Sequence, residues 1–413
     1  MKLRLTPEEQ AMLAGEAGPG VQKAMEIVIA LGQIYGAADL APVASVQVSG
    51  VSYKNLGDAG LEFLQDWATQ GARARVPATL NPAGMDRLAW RELGFSEEFA
   101  QRQEAVIAAY EALGISPTCT CTPYLVGYVP QFGQHLAWAE SSAVSYANSV
   151  LGARTNREGG PSALAAAITG RTARYGLHLD DNRRATTIVD VRCSVTSEAD
   201  LGALGYLVGR QVKNGIPYFR FAEGPGPRGR DWRLDRGDLK TLGAAMAASG
   251  AVALYHVKGL TPEAIAGAAL ESGGDTQRLA IDDLAPGYAA LNGPADRVDL
   301  VSLGCPHASL AEIEAITAFL EGRRVTIDLW ITTARATRQA AEKAGLAARI
   351  EAAGGRVVAD TCLVVAPVAE LGFRAMATNS AKMALYAPSH SGLSVRFGTM
   401  EQCLEAAVTG KWS

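Results

Sequence analysis

From Asp296 onward, short runs of Val, Ile and Leu alternate with stretches whose apolar residues recur every three or four positions. That alternation predicts strands and helices wound in turn over a parallel sheet. Strands are expected at 298–303, 325–330, 356–360 and 394–397. Ser309 and Glu312 form a capping box ahead of Leu310, Ile313, Ile316 and Leu320, and Gly322 ends that helix. Further helices are expected at 335–353, 381–385 and 400–408.

The middle of the chain repeats this style on a smaller scale. A strand is expected at 186–193, a helix capped by Ser197 runs to about 214, and a second strand covers 252–257. The Gly-Pro-Gly-Pro-Arg-Gly run within 223–230 reads as a turn-rich loop. Earlier, a helix at 97–113 places Phe99, Val106, Tyr110 and Leu113 on one face and leads into an extended segment at 115–121. The chain therefore divides into three units, 1–185, 186–290 and 291–413, in the α/β class with doubly wound, mainly parallel sheets.

With 413 residues, 48% of them hydrophobic and 19% charged, the chain can bury a large core. Its formal charge of -4 comes without a basic stripe, which excludes nucleic acid as a partner. No apolar run reaches the roughly 20 residues needed to span a bilayer, and the amino terminus lacks a secretion signal, so no membrane is involved and a cytoplasmic location is expected. Six cysteines are too sparse for a disulfide scaffold and are expected as free thiols or metal ligands.

Cys305 and Cys362 each follow a predicted strand, at the carboxyl edge where open α/β sheets bind ligands. Cys121 ends the extended segment and makes a third candidate. Cys119, two residues earlier on an extended run, would share its face. Each thiol taken alone reads more readily as a small buried hydrophobe than as a ligand, and Cys193 and Cys403 fit that reading best. The pattern lacks the paired spacing of a structural zinc site, whereas an iron site built from distant thiolates would keep an open position able to polarise a substrate hydroxyl. His307, two residues after Cys305, could touch whatever Cys305 binds. The other histidines read as ordinary hydrogen-bonded side chains.

Three polar stretches could receive an anion. Residues 49–55, with Ser52, Tyr53, Lys54 and Asn55, precede a helix start. Residues 148–162 crowd Asn148, Ser149, Arg154, Thr155, Asn156, Arg157 and Glu158 around glycines ahead of an alanine-rich helix, and arginine suits carboxylate or phosphate. Residues 378–382 place Asn379, Ser380 and Lys382 at a third helix start. An ordinary solvated loop is the competing reading for each.

Taken together, the stretches Val48 to Asn55, Thr79 to Pro82, Cys119 to Tyr124, Trp138 to Ser142, Ala147 to Gly160, Gly304 to Ser309 and Asp360 to Cys362 resemble aconitase X. The resemblance implies three aconitase-like domains and a dehydratase of the hydro-lyase class, with Cys121, Cys305 and Cys362 holding an iron-sulfur cluster of unspecified nuclearity or a mononuclear iron. It further implies substrate contacts from Ser52, Tyr53, Lys54, Asn55, Asn81, Ser141, Asn148, Ser149, Arg154, Thr155, Asn156, Arg157, Asn379, Ser380 and Lys382. Glu158, Lys54 and Ser52 are the candidates for catalytic roles. The family also uses a small swivel domain carrying a serine base, which this chain does not reach, so a separate small subunit is the expected partner.

The expected substrate is a small hydroxy acid. The alanine-rich composition leans toward cis-3-hydroxy-L-proline, with mevalonate 5-phosphate as the alternative. A catalytically inactive iron-sulfur binding or regulatory protein is the reading from another class. A metal-free enzyme working through its thiols is the third.

Overall fold

The structure is a computed structural model in which residues 3–222, 234–267 and 276–412 are described. The Gly-Pro loop expected at 223–230 lies outside the described residues. Three parallel sheets follow one another along the chain. The first has three short strands in the order Ala78–Leu80, Val46–Val48, Ala137–Trp138. The second has four, His256–Val257, Pro217–Phe221, Thr187–Val191 and Gln277–Ile281. The third has five, Arg356–Ala359, Asp328–Thr333, Leu300–Ala308, Ala375–Thr378 and Ser394–Phe397. An antiparallel ribbon pairs Leu40–Pro42 with Arg171–Ala173.

Of three apolar clusters, one spans all three sections. Trp138 and Tyr146 from the first section, Val189 and Phe219 from the second, and Leu300 and Trp330 from the third belong to a single buried cluster. Burying such surface is worth about 25 cal/mol per Å². The clefts between sections are therefore held at fixed geometry.

In the five-stranded sheet the winding reverses beside the Leu300–Ala308 strand, which pairs with Asp328–Thr333 on one side and Ala375–Thr378 on the other. Crossovers diverge at such a switch point and leave a crevice at the carboxyl ends. Cys305, Asn379, Ser380 and Lys382 stand there.

Several elements differ from the pattern-based expectation. The strand expected at 325–330 begins three residues later, as Asp328–Thr333. Leu300–Ala308 runs through Cys305 instead of stopping at Leu303, because its edge resumes pairing with Thr333 after a bulge. The helix expected at 335–353 is two helices, Arg335–Lys343 and Leu346–Ala352, broken where Gly345 takes φ 73°. Of the strand expected at 252–257, only His256–Val257 pairs. Pro217–Phe221, Gln277–Ile281 and Ala375–Thr378 are strands that the pattern did not reveal.

Gly304 creates the bulge ahead of Cys305. Its φ is 90°, and a Cβ there would lie 2.1 Å from the Thr332 carbonyl oxygen. Neither the dihedral nor the space tolerates a side chain. Gly304→Ala should cost about 3 kcal/mol or more in urea denaturation, and a loss under about 1 kcal/mol would show that the bulge relaxes freely.

Candidate active site

Cys121, Cys305 and Cys362 reach one region from separate parts of the chain. The first section supplies the scaffold. Thr120 N–H donates to the Leu80 carbonyl at 3.0 Å, and Gln47 Nε2 donates to the Thr120 carbonyl at 3.0 Å, which fixes the turn bearing Cys121. Three residues past the Ala78–Leu80 strand, Ala83 forms a parallel bridge with Thr361. Ala83 N–H donates to the Asp360 carbonyl at 2.8 Å, and Cys362 N–H donates to the Ala83 carbonyl at 3.2 Å. The segment 80–83 thus couples the turns of Cys121 and Cys362.

His307 closes the arrangement. Its backbone N–H donates to Cys121 Sγ at 3.2 Å, its Nε2 is 2.8 Å from the Thr361 carbonyl, and its Nδ1 is 3.0 Å from Thr120 Oγ1. A carbonyl can only accept, so Nε2 carries the proton and Nδ1 accepts from Thr120. Burial keeps the ring neutral by pushing its pKa down to about 4. One imidazole therefore ties together the neighbours of Cys121 and Cys362 two residues from Cys305.

Two buried lysines flank the thiols. Lys382 pairs with Glu140 and donates to Ser141 Oγ at 3.3 Å. Burial alone would raise the Glu140 pKa, but the Lys382 ammonium and donors from Ser142 and Ala143 overcome it and hold the carboxyl below its ordinary value. Burial likewise opposes the charge on Lys382, yet Glu140 and the nearby Cys305 and Cys121 raise its pKa. Lys240 Nζ lies 2.6 Å from Glu312 Oε2 and 3.5 Å from the His307 carbonyl. Lys240, Glu312, Cys305, Asn379, Ser380 and Lys382 line one cleft. Cys305 and Cys362 are partly exposed, while Cys121 is buried.

The donor set can be tested against an iron-sulfur group. Burial raises the pKa of all three thiols, with Cys362 pushed up to about 12, and the Lys382 charge opposes that rise at each of them. Three thiolates set together, one of them buried, need a cationic group to be stable. Among the described residues no three Cys, His, Asp or Glu side chains are grouped so as to hold a metal ion. The buried oxygens Tyr124 Oη, Asn81 Oδ1 and Thr361 Oγ1 find no hydrogen-bond partner among the described residues. They lie beside Cys121, next to Leu80, and beside Cys362. The residues present fit a polar, cationic group.

The remaining candidates separate into groups. Asn379, Ser380 and Lys382 line the cleft, Ser141 meets Lys382, and Asn81 is in the coupling segment. Ser52 Oγ donates to the Val365 carbonyl at 2.7 Å, and Lys54 Nζ donates to the Ala366 and His390 carbonyls at 3.0 and 3.3 Å. They fasten the chain just after Cys362. Tyr53 Oη donates to Asp58 Oδ1 at 3.0 Å, and Asn55 is exposed. Asn148 clamps Thr155 and Ala253, Ser149 Oγ accepts from Tyr255 N–H at 2.9 Å, and Thr155 Oγ1 accepts from Trp138 N–H at 3.1 Å. Asn156 braces Tyr175 and Leu177, and Arg154 pairs with Asp180. Arg157 is exposed. Glu158 accepts from Ser162 at 2.6 Å and Thr172 at 2.9 Å, and burial raises its pKa despite those donors. The 148–158 stretch is chiefly a fastening network, and its arginines are not among the residues lining the Cys305 cleft.

Cys119 departs from its expected placement. Its φ of 42° turns the chain out of the extended conformation, so the alternation that would put it on the face of Cys121 does not apply. The charges that act on its thiol are Asp360, Arg87, Glu104 and Arg335, a set different from those around Cys121. Cys403 is buried in the helix Met400–Thr409, as expected of a core residue.

Pattern reading missed Glu140, Lys240 and Glu312. Glu140 is the N-cap of Ser141–Ser149, a signal available in principle. Glu312 was assigned only its capping bond to Ser309. Lys240 is a lone lysine on the helix Arg236–Gly250, and nothing local marks it as buried.

Residues 2–181, 185–290 and 298–409 match the family models described as the first, second and third domains of aconitase X. The chain is 54% identical to the phosphomevalonate dehydratase large subunit of Methanothermobacter thermautotrophicus, over 95% of this chain and 96% of that one. It is 38% identical to the cis-3-hydroxy-L-proline dehydratase of Pseudomonas aeruginosa, over 99% of this chain and 70% of that one. The crystal structure of Thermococcus kodakaraensis aconitase X in its holo-form superposes with a TM-score of 0.89 at 45% identity, covering 98% of this chain and 100% of that one.

The ion pair across the cleft yields a stability test. Lys382→Met would leave Glu140 buried and unpaired, at a cost of about 3–5 kcal/mol, and adding Glu140→Gln should recover most of it. With Glu140 depressed and Lys382 raised, the pair's contribution is complete between the ordinary carboxyl and lysine values. It is lost as pH falls through the folded Glu140 value or rises through that of Lys382. Equal losses in the single and double variants, measured at neutral pH, would deny the coupling.

Proposed function

Because the chain belongs to the aconitase X family and is a dehydratase, we propose that it removes water from mevalonate 5-phosphate together with a small second subunit. The observation that carries this reading is the pair of buried lysines, Lys382 and Lys240, lining one cleft with Cys305. Mevalonate 5-phosphate carries a carboxylate at one end and a phosphate at the other, so two ammonium groups match its two anionic ends. A hydroxyproline has one carboxylate and a cationic ring nitrogen, which calls for a different charge pattern. Relatives at 54, 48 and 46% identity are named phosphomevalonate dehydratase large subunit, against 38% for the bacterial hydroxyproline enzyme. The compositional lean toward hydroxyproline gives way to these two observations.

Cys121, Cys305 and Cys362 would hold an iron-sulfur cluster, which supplies a Lewis acid to the leaving hydroxyl when bound. The chain's own side chains bind and orient the acid. Lys382, Ser380 and the amino end of the helix Ala381–Ser391 face the cleft and suit the carboxylate. As the carbon beside the carboxylate loses its proton, negative charge moves onto the carboxylate oxygens, where Lys382 stabilises it. The neighbouring C–O bond breaks as hydroxide leaves, the C–H electron pair becomes a double bond conjugated with the carboxylate, and the hydroxide together with the proton taken by the base makes up the water released. Lys240 receives the phosphate. Ser52 and Lys54 act by positioning the chain after Cys362, and Glu158 by fastening the loop that bears it. The base is a serine on the small subunit. All six cysteines are free, which supports a reducing, cytoplasmic setting.

The chain, purified anaerobically with its small subunit, should turn over mevalonate 5-phosphate at least about 100-fold better in kcat/KM than cis-3-hydroxy-L-proline. The reverse order would overturn the substrate. Cys305→Ala and Cys362→Ala should each lose bound iron and visible absorption, and full iron content in either would remove the ligand assignment. Lys240→Gln should lower kcat/KM for the phosphorylated substrate about 100-fold with iron content unchanged. A fall below about threefold would take the phosphate away from Lys240.

A further inference from the structure

The segment after Cys121 leaves the cleft and runs over the surface before returning as the Ala137–Trp138 strand, just ahead of Glu140. Its composition is unlike an ordinary surface loop. From Ala112 to Ala139 the chain contains no Asp, Glu, Lys or Arg. Yet Leu125 is 40% exposed, Val129 58% and Phe132 57%. Leu179, 39% exposed, follows His178, whose Nδ1 is 2.9 Å from Nδ1 of His135 on the same returning segment. Scattered apolar residues on a surface are ordinary, but an uncharged run with three large apolar side chains turned to water is the composition of an interface core.

We propose that the face formed by Leu125, Val129 and Phe132 is the surface on which the small subunit docks. This rests on the two-subunit reading given above. Two observations favour that occupant over others. The first is position: Tyr124, adjacent to Leu125 and three residues after Cys121, stacks at 3.8 Å on Tyr146 of the helix that Glu140 caps. A partner seated on Leu125 therefore stands beside the segments that bear Cys121 and Glu140. The second is chain length. Relatives named large subunits match this chain over 96 to 99% of their length, whereas three tenths of the Pseudomonas hydroxyproline dehydratase, named without subunits, lies beyond the match. Additional chain accompanies the same core in that relative, and the small subunit is its counterpart here. The loop is braced for such a role, because Gly133 N–H donates to the Gly152 carbonyl at 2.9 Å and packs Phe132 beside Gly152.

The test is a binding measurement, independent of substrate and turnover. The full chain carrying Val129→Glu and Phe132→Glu should bind the small subunit at least about 30-fold more weakly than wild type, with melting temperature and iron content unchanged. Ile34→Glu, at another exposed apolar residue, should bind as wild type does. Hydrogen exchange on the wild-type chain should show protection of 125–132 when the small subunit is added. Unchanged affinity in the double variant, or no added protection, overturns the docking face while leaving the reaction intact. A wild-type chain that binds no small subunit at all overturns the two-subunit reading and this proposal together. Self-association abolished by the double variant, with small-subunit affinity unchanged, assigns the face to a second copy instead.

Discussion

The site depends on a single buried imidazole. His307 spends its backbone N–H on Cys121 Sγ and both ring nitrogens on the segments that precede Cys121 and Cys362. Each bond is modest on its own, about 1 kcal/mol net, but a buried carbonyl or hydroxyl left without its partner costs more than the bond is worth. The ring must therefore be neutral, in one tautomer and in one orientation. Three thiols from distant parts of the chain inherit their relative placement from that requirement. The shared apolar core sets the sections in place to the scale of a side chain, and His307 refines the result to the scale of a hydrogen bond.

Around this keystone the chain buries charge, which a fold selected only for stability would avoid. Lys382 reaches Glu140 across more than two hundred residues of sequence, and Lys240 reaches Glu312 from a different section. Both glutamates also satisfy helix amino termini: Glu140 accepts from Ser142 and Ala143, and Glu312 from Ser309. Each carboxylate thus does double duty as helix cap and counter-ion. The arrangement lets two ammonium groups stand at a cleft without an unpaired charge beforehand, and an anion arriving there exchanges one well-made set of contacts for another.

Much of this was legible in the sequence where local rules apply. The capping box at Ser309, the helix expected at 97–113 and the strand at Ser394–Phe397 depend on residues within a few positions of one another. Cys305 and Cys362 were readable because a parallel sheet places its carboxyl ends together. The strands Pro217–Phe221 and Gln277–Ile281 were not, since Arg220, Gln277 and Arg278 interrupt any apolar run and the pairing that makes them strands comes from Thr187–Val191. Lys240 was invisible for the same reason. Its burial follows from where the helix Arg236–Gly250 packs, a fact of tertiary structure alone. The 148–158 stretch shows the converse: a dense polar motif that reads as a ligand site is largely consumed in bonding its own loops.

That consumption bears on how the reaction is divided. Dehydration needs an anchor for the acid, an acceptor for the hydroxyl and a base for the proton. In the proposed reaction the lysines would supply the first, and the thiols the means for the second. The base is harder to find among the described residues. His307 has both nitrogens engaged, Ser52 donates to Val365, and Glu158 is met by two hydroxyls. Glu140 and Glu312 are held ionised by lysines, with pKa values below the ordinary range and correspondingly weak basicity. A proton acceptor introduced from outside, on a body that docks beside Tyr124, resolves this without loosening any of those bonds. On the proposed reading, the exposed, uncharged loop after Cys121 and the engaged candidate bases belong together: this chain would supply the anchors, and its partner the proton acceptor.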